Sequence, residues 1–425
     1  MRMTPGRRGP ATLPKAFRRI WAASGVSAFG DGVHLAALPL LAASVTRDPV
    51  VISVVAAAAR VPWLLFGLIG GALVDRWDRR RTLWISDAAR AALLLAAVAG
   101  VCAGLIGIPL LIALAFFLCI GQILYDTAAS AYLPELLDRD PELLKRANTR
   151  LQGTQTAVNG FLGPPAGAAM FSLGRAVPLL ADALTFLFSA LTIRSLPKTP
   201  PKPQTEKGPL LAEARAGAAY LVRNPVLLGL SLRPAVGNLA FGAGTAVFVL
   251  FAQEELHLGP AGYGLLLATE AVGGLAGAAL AGRLADRIGI GGALTLSAFL
   301  LAGAQLALGL SAGPVAAGAA IVVRAAAFGI TMVLGPSVRQ AVVPNDLMGR
   351  VSAAARLMAV APAPLGALLG GWLATEAGLR APYLIGAAVL AVATLGSMAM
   401  TTNRKIDAAL ARASPAPRPS SPTAP

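Results

Sequence analysis

Five acidic residues stand inside long apolar runs: Asp31, Asp87, Asp126, Asp182 and Glu270. Five arginines share that setting, Arg60, Arg90, Arg233, Arg324 and Arg356, and so does His34. An ionisable group at the centre of a bilayer costs about 2.5 to 3.5 kcal/mol on insertion scales, so one that is kept there faces protein or a wet cavity. Two chemistries suit such groups. They can pair across helices and hold a bundle together, or they can carry a proton or bind a charged part of a solute. Asp31 and His34 are three residues apart and so share one helix face. That makes Asp31 a candidate proton carrier, and His34 either a relay or a neutral hydrogen-bonded core residue. Asp87 and Arg90, with the same spacing, read as a local structural pair. Asp182 and Glu270 stay open between the two roles.

The elements that position these groups follow from composition. The chain has 425 residues, of which 56% are hydrophobic and 13% charged, with mean hydropathy +0.69. Soluble domains carry about 25% charged residues, so this chain uses lipid as its solvent. A hydrocarbon core of about 30 Å takes about 20 apolar residues as helix. Twelve such runs occur, at about 19–45, 50–74, 82–104, 107–131, 151–173, 176–195, 226–251, 261–283, 290–311, 315–338, 351–375 and 379–400. They are continuously apolar and lack the period-2 alternation of barrel strands. The expected fold is therefore all-α and integral to the membrane, with twelve spans that satisfy their own backbone polar groups.

The positive charges give the orientation. Of 36 Lys and Arg, 28 lie in the tails, the even-numbered connections and the run ends that adjoin them, three in the odd-numbered connections and five deeper inside the runs. The positive-inside rule then puts both termini in the cytoplasm of a multi-pass plasma (inner) membrane protein. The net charge of +16 reflects this topology and attraction to anionic lipid, not nucleic-acid binding. The apolar stretch after Arg19 is too long for a signal-peptide core. Residues 1–18 form the N-terminal tail, 19–195 a first six-helix bundle and 226–400 a second one. Between the bundles, 196–225 is a Pro-rich linker leading into an amphipathic helix on the membrane surface, with Leu210, Leu211, Ala214, Ala218, Leu221 and Val222 on one face. Residues 401–425, rich in Pro, Ala and Ser, are expected to be disordered. Two cysteines and two histidines exclude a Cys/His metal cluster, and no glycine loop followed by Lys is present to hold a phosphate. No cofactor is expected, and an enzyme or an ATP-driven pump is disfavoured.

The two bundles repeat. Gly71, Leu73, Asp75 and Arg76 match Gly282, Leu284, Asp286 and Arg287 at an offset of 211, each set following the second helix of its half. Pro134 matches Pro344, and Gly163-Pro164-Pro165-Ala166-Gly167 is echoed by Pro362, Pro364 and Gly366. Parallel repeats of this kind build secondary transporters, with the solute path between the halves.

The segment Gly70–Arg81, GGALVDRWDRRR, resembles the signature loop of the major facilitator superfamily, and the resemblance covers residues 19–400. It implies that Gly71, Asp75, Arg76, Arg79 and Arg80 latch the halves, Asp75 facing the positive end of the eleventh helix. Asp286 and Arg287 form the second-half copy, which has Gly289-Ile290-Gly291 in place of the arginine run. Gly163, Pro164 and Gly167 resemble a fifth-helix motif associated with antiport in exporters. Gly30-Asp31-Gly32, Ser86-Asp87, Arg90, Asp182, Phe186 and residues 219–225 resemble the macrolide-efflux and enterobactin-exporter-like group. In the superfamily the first, fourth, seventh and tenth helices line the cavity. Asp31, His34, Asp126 and Arg324 are thereby the first candidate contacts for solute or proton, and Glu270, in the eighth run, is a further one. The resemblance implies a monomeric exporter of an amphipathic small molecule (a drug, a macrolide-like compound or a siderophore), coupled to protons. A lysophospholipid or other lipid or metabolite carrier of the same fold is the alternative.

Overall fold

The computed structural model describes residues 13–66, 77–196, 210–344 and 347–413. Among them all regular structure is helical. The first half holds α1 (Lys15–Val45), α2 (Pro49–Ala58), α3 (Val61–Phe66), α4 (Arg79–Cys102), α5 (Ile108–Leu136), α6 (Pro141–Gln155), α7 (Gly163–Leu173) and α8 (Val177–Arg194). A π-helical segment, Thr156–Leu162, joins α6 to α7. Then come α9 (Leu210–Arg223), α10 (Pro225–Leu250), α11 (Pro260–Gly309), α12 (Pro314–Val342), α13 (Met348–Val360), α14 (Pro362–Ala377), α15 (Ala381–Met398) and α16 (Asn403–Ala413).

Short polar breaks start these helices in a recurring way. Asp48, Asp140 and Asn224 each stand before a proline and accept hydrogen bonds from the backbone N–H groups two and three residues on, at 2.8–3.3 Å. The side-chain oxygen supplies an acceptor that the first turn lacks, and proline at the first position gives up an N–H that would have no partner there. Asp78 caps α4 in the same manner, accepting from Arg81 N at 2.8 Å.

Among the described residues ten helical stretches are long and apolar enough to cross a membrane, against twelve runs in the sequence. The eighth and ninth runs are two helical segments that meet within α11 at Gly289 (φ 78, ψ 160) and count as one stretch. The fifth run carries Asn159, Pro164, Pro165 and several glycines, which lower its hydropathy, and its helix loosens to π at Thr156. The tail also differs from expectation. Residues 403–413 form a helix, because Ile406, Ala409 and Leu410 fall at helical spacing and pack against the end of α12 and the start of α10. The composition of 402–425 as a whole hides this stripe. Among the described side chains of α9, Gly217 and Leu221 are buried, set against α13, whereas Ala218 and Val222 are exposed; the side chains of Leu210, Leu211 and Ala214 lie outside those described.

The distribution of buried apolar residues is asymmetric along the bundle. At the end away from the termini, one cluster runs through both halves and includes Leu38, Leu41, Ile52, Phe248, Phe251 and Tyr383. There α2 packs on α14, and α7 on α11. At the end that holds the termini each half keeps its own cluster, around Tyr132 and Phe17 in the first and around Val342 and Ile406 in the second. The seam between the halves is thus sealed at one end.

Candidate functional site

Three helices of the first half converge on Arg90, which α4 carries in a buried position. Its Nη2 donates to Asp31 Oδ1 on α1, and its Nη1 lies 3.5 Å from Asp87 Oδ1 one turn back on α4. The guanidinium stacks 3.7 Å from the ring centre of Phe186 on α8, a contact that only a planar cation makes well. One turn from Asp31, His34 Nδ1 lies 3.6 Å from Asp182 Oδ2, also on α8. Asp87 and Asp182 are 0% and 1% exposed. Three carboxylates therefore meet one guanidinium and one imidazole. His34 Nδ1, Asp182 Oδ2 and Asp87 Oδ2 are buried with no hydrogen-bond partner. The room for Arg90 comes from α5, where any side chain at Gly121 would strike the arginine stem.

The glycines of the Gly163–Gly167 stretch press directly on the helix that bears Asp31. A side chain at Gly163 would strike the backbone of Gly32, and one at Gly167 the backbone of Val33. On its other face, this helix presents the Pro164 carbonyl to Gly264 of the second half. So α7 touches both the Asp31 helix and the opposite half.

A second charged group sits at the seam. Arg324 Nη2 on α12 donates to Glu270 Oε1 on α11, and its guanidinium lies 5.1 Å from the ring centre of Phe241 on α10. Arg60, from the first half, approaches the same ring at 5.6 Å and donates to Thr245 Oγ1 at 3.3 Å. Phe241, Glu270 and Arg324 line a cavity of about 190 Å3. Nearby, Arg356 stacks over Trp63 at 5.0 Å, again across the seam.

Asp126 stands apart from both groups. It accepts from Gln122 at 2.8 Å and lines a cavity of about 920 Å3 together with Ser24, Tyr125, Gln152, Phe161 and Leu275. This cavity opens at the end that carries the termini, below the sealed seam. Of the latch residues, Gly71, Asp75 and Arg76 lie outside the described residues. Arg79 pairs with Glu135, and Arg80 donates to the carbonyls of Leu196 at 2.5 Å and Arg194 at 3.3 Å. These partners belong to the same half. Asp286 and Arg287 are exposed, just ahead of the break at Gly289.

Sequence reasoning singled out the acids and, by resemblance, Phe186, but not the other aromatic residues that meet the arginines. Phe241 and Trp63 have no sequence signal, since an aromatic residue in an apolar run is ordinary packing. Nor does spacing reveal that Arg90 serves Asp31 as well as Asp87, because the Asp31 contact spans 59 residues of chain.

Known proteins resemble the chain over nearly its whole length. The family described as transmembrane secretion effector matches residues 11–421. The multidrug efflux pump Tap of Mycolicibacterium fortuitum is 30% identical over 413 residues, covering 90% of this chain and 93% of that protein. Among solved structures, the nucleoside transporter NupG superposes with a TM-score of 0.77 at 14% identity, over 91% of this chain and 100% of that one. A bacterial homologue of the iron transporter ferroportin, in an inward-facing state, gives 0.73 at 16% identity, over 92% and 100%. The chain is a multi-pass membrane transporter, not an enzyme, and it belongs to the transmembrane secretion effector family, within the drug-efflux transporters of the major facilitator superfamily.

Proposed function

We propose that the chain is a twelve-span exporter that moves an amphipathic small molecule (a drug, macrolide-like compound or siderophore) out across the plasma membrane, in exchange for protons. It acts as a monomer with both termini in the cytoplasm, and the halves rock about the seam so that the cavity faces one side and then the other. The observation that carries this reading is the pairing of Asp182 Oδ2 with His34 Nδ1, both buried and both without a hydrogen-bond partner at 3.6 Å. One proton between them satisfies both atoms, carried on the carboxyl or on Nδ1 of the neutral imidazole, and a second proton makes the imidazolium, so the pair can gain and lose a proton while staying hydrogen-bonded. The excess of acids around Arg90 favours the same uptake, because buried charges need partners of opposite sign.

The steps follow from the contacts. The solute enters the 920 Å3 cavity from the terminal end, beside Asp126. A proton on Asp31 weakens its hold on Arg90 and frees α1 to shift against α4. Through Gly163 and Gly167 that shift reaches α7, and through the Pro164 carbonyl it reaches α11. In this reading the loop containing Gly71, Asp75 and Arg76 latches the terminal end when the other end opens.

The test is drug susceptibility in an efflux-deficient bacterium at matched expression, with macrolides, lipophilic cations, siderophores and lysolipids. The native chain is expected to protect against at least one compound. An uncoupler, Asp31→Asn, Asp182→Asn or Asp75→Asn each removes the protection. Protection that survives both the uncoupler and Asp31→Asn overturns the proton coupling. No protection, with the protein shown in the membrane, moves a lipid or metabolite carrier to first place.

A further inference from the structure

The group at the seam has a charge balance opposite to that around Arg90. Two guanidiniums, Arg60 from the first half and Arg324 from the second, approach Phe241 at 5.6 and 5.1 Å. Between them they have one carboxylate. Glu270 pairs with Arg324 and is the acid whose charge acts on Arg60. The hydrogen bond of Arg60 to Thr245 Oγ1 leaves its cation without an ion-pair partner among the described residues.

The cavity beside this group supplies a second, independent observation. Its walls are mostly apolar and include Phe241, Phe328, Leu301 and Leu390. Gln305 also lines it, is 2% exposed, and has its amide Nε2 buried with no hydrogen-bond partner. A buried donor without an acceptor is unfavourable, so its presence beside this cavity points to an acceptor that is not part of the protein. Glu270, by contrast, is the most accessible member of the ion pair, at 33% against 7% for Arg324. The carboxylate is the partner that can turn away.

The geometry points to an anion-recognition site for the exported solute: an acidic group, carboxylate or sulfonate, binds Arg324 and the Gln305 amide in place of Glu270, while its apolar body lies between Phe241 and Phe328. This inference rests on the exporter reading and names the substrate class. The displaced Glu270 has Arg60 as its alternative partner. That partner belongs to the opposite half, so occupation of the site would also draw the two halves together across Phe241. A guanidinium suits the exchange because it binds a carboxylate through two parallel N–H groups and stays charged when desolvated.

The experiment uses the full-length purified protein in detergent and two probes with the same body and opposite charge, 4-phenylbutyrate and 4-phenylbutylammonium. Binding to each is measured by calorimetry near pH 7. The native chain is expected to bind the carboxylate at least about tenfold more tightly than the ammonium ion, a free-energy difference of about 1.4 kcal/mol. Arg324→Gln abolishes the preference, Arg324→Lys keeps part of it, Gln305→Leu weakens the carboxylate several-fold, and Glu270→Gln tightens it by removing the competitor. Size-exclusion profiles identify any variant that fails to fold, and the native preference and the Glu270→Gln result stand without Arg324→Gln. Tighter binding of the ammonium ion, lost in Glu270→Gln, overturns the anion assignment, as does binding of neither probe by folded native protein. The efflux assay above separates the two readings: protection against any compound, with the ammonium ion preferred here, leaves the exporter reading standing and removes this one.

Discussion

Arg90 is the residue on which the first-half group depends. Its guanidinium answers Asp31 and Asp87 and stacks on Phe186. Removing one partner from a buried ion pair costs about 3–5 kcal/mol, because the charges left behind stay unpaired. Arg90→Leu is therefore expected to lower the melting temperature of the purified protein by several degrees, read by intrinsic fluorescence or by retention on size exclusion. Arg90→Lys restores the charge but not the planar stack, and should recover stability only in part. At Gly163 the constraint is steric. A Cβ there meets the backbone of Gly32, and backbone cannot rotate aside, so Gly163→Val should lose export outright even where the protein still reaches the membrane. An equal melting temperature and full export for Gly163→Val would show that α1 and α7 do not need this approach. The acids and the glycine-proline stretch are readable from the chain, since charge and glycine are conspicuous in apolar runs. Which partner each meets is not, since nothing along the chain says that Arg90 stacks on Phe186 or that Gly163 packs on Gly32.

Among the elements, α16 carries a consequence that composition alone conceals. Its first residue, Asn403, donates from Nδ2 to Ile288 O at 2.8 Å and accepts at Oδ1 from Gly292 N at 3.0 Å. The two bonds clamp the break in α11, where Gly289 takes a left-handed φ of 78° and touches the Asn403 side chain. The second half lacks the arginine run that in the first half ties Arg79 to Glu135 and Arg80 to the end of α8. The helix after the last span takes over that fastening. Asn403→Ala is expected to cost about 1–3 kcal/mol, the loss of two hydrogen bonds at a strained turn. Ile406→Ala, at a position 0% exposed, should cost about 2–5 kcal/mol. Both are measurable as a fall in melting temperature, and an unchanged value for both would mean that α16 contributes nothing to the second half. The starts of α2, α6 and α10 are legible in the pairs Asp48-Pro49, Asp140-Pro141 and Asn224-Pro225. The helix α16 is not, because its eleven-residue stripe is diluted by the Pro-rich residues that follow it.

For the whole molecule, the sealed and open ends of the seam make a prediction about access. Gln152 lines the large cavity at the terminal end, whereas Val247 is fully buried in the cluster that joins the halves at the other. In a background with Cys102→Ala, a Gln152→Cys variant is expected to react with a membrane-impermeant maleimide in inside-out vesicles, and a Val247→Cys variant from neither side. Arg47, which reaches Gln253 at 2.5 Å and Glu254 at 3.6 Å across the sealed end, should help to hold that state. Adding Arg47→Glu should therefore raise the labelling of Val247→Cys in intact cells, and no rise would exclude the bridge as part of the closure. The sequence by itself determined that the chain lies in lipid, that it is helical, where its charges interrupt apolar runs, and which superfamily its Gly70–Arg81 segment resembles. Those properties are local: hydrophobicity, helix periodicity and short motifs are written in neighbouring residues. Only the tertiary structure decided which acid meets which arginine, that Arg60 and Arg324 share Phe241, and which end of the seam is closed. These depend on contacts between helices far apart in the chain, such as Trp63 with Arg356 and Phe241 with Arg60, and no pattern along one helix records which face of another it will meet.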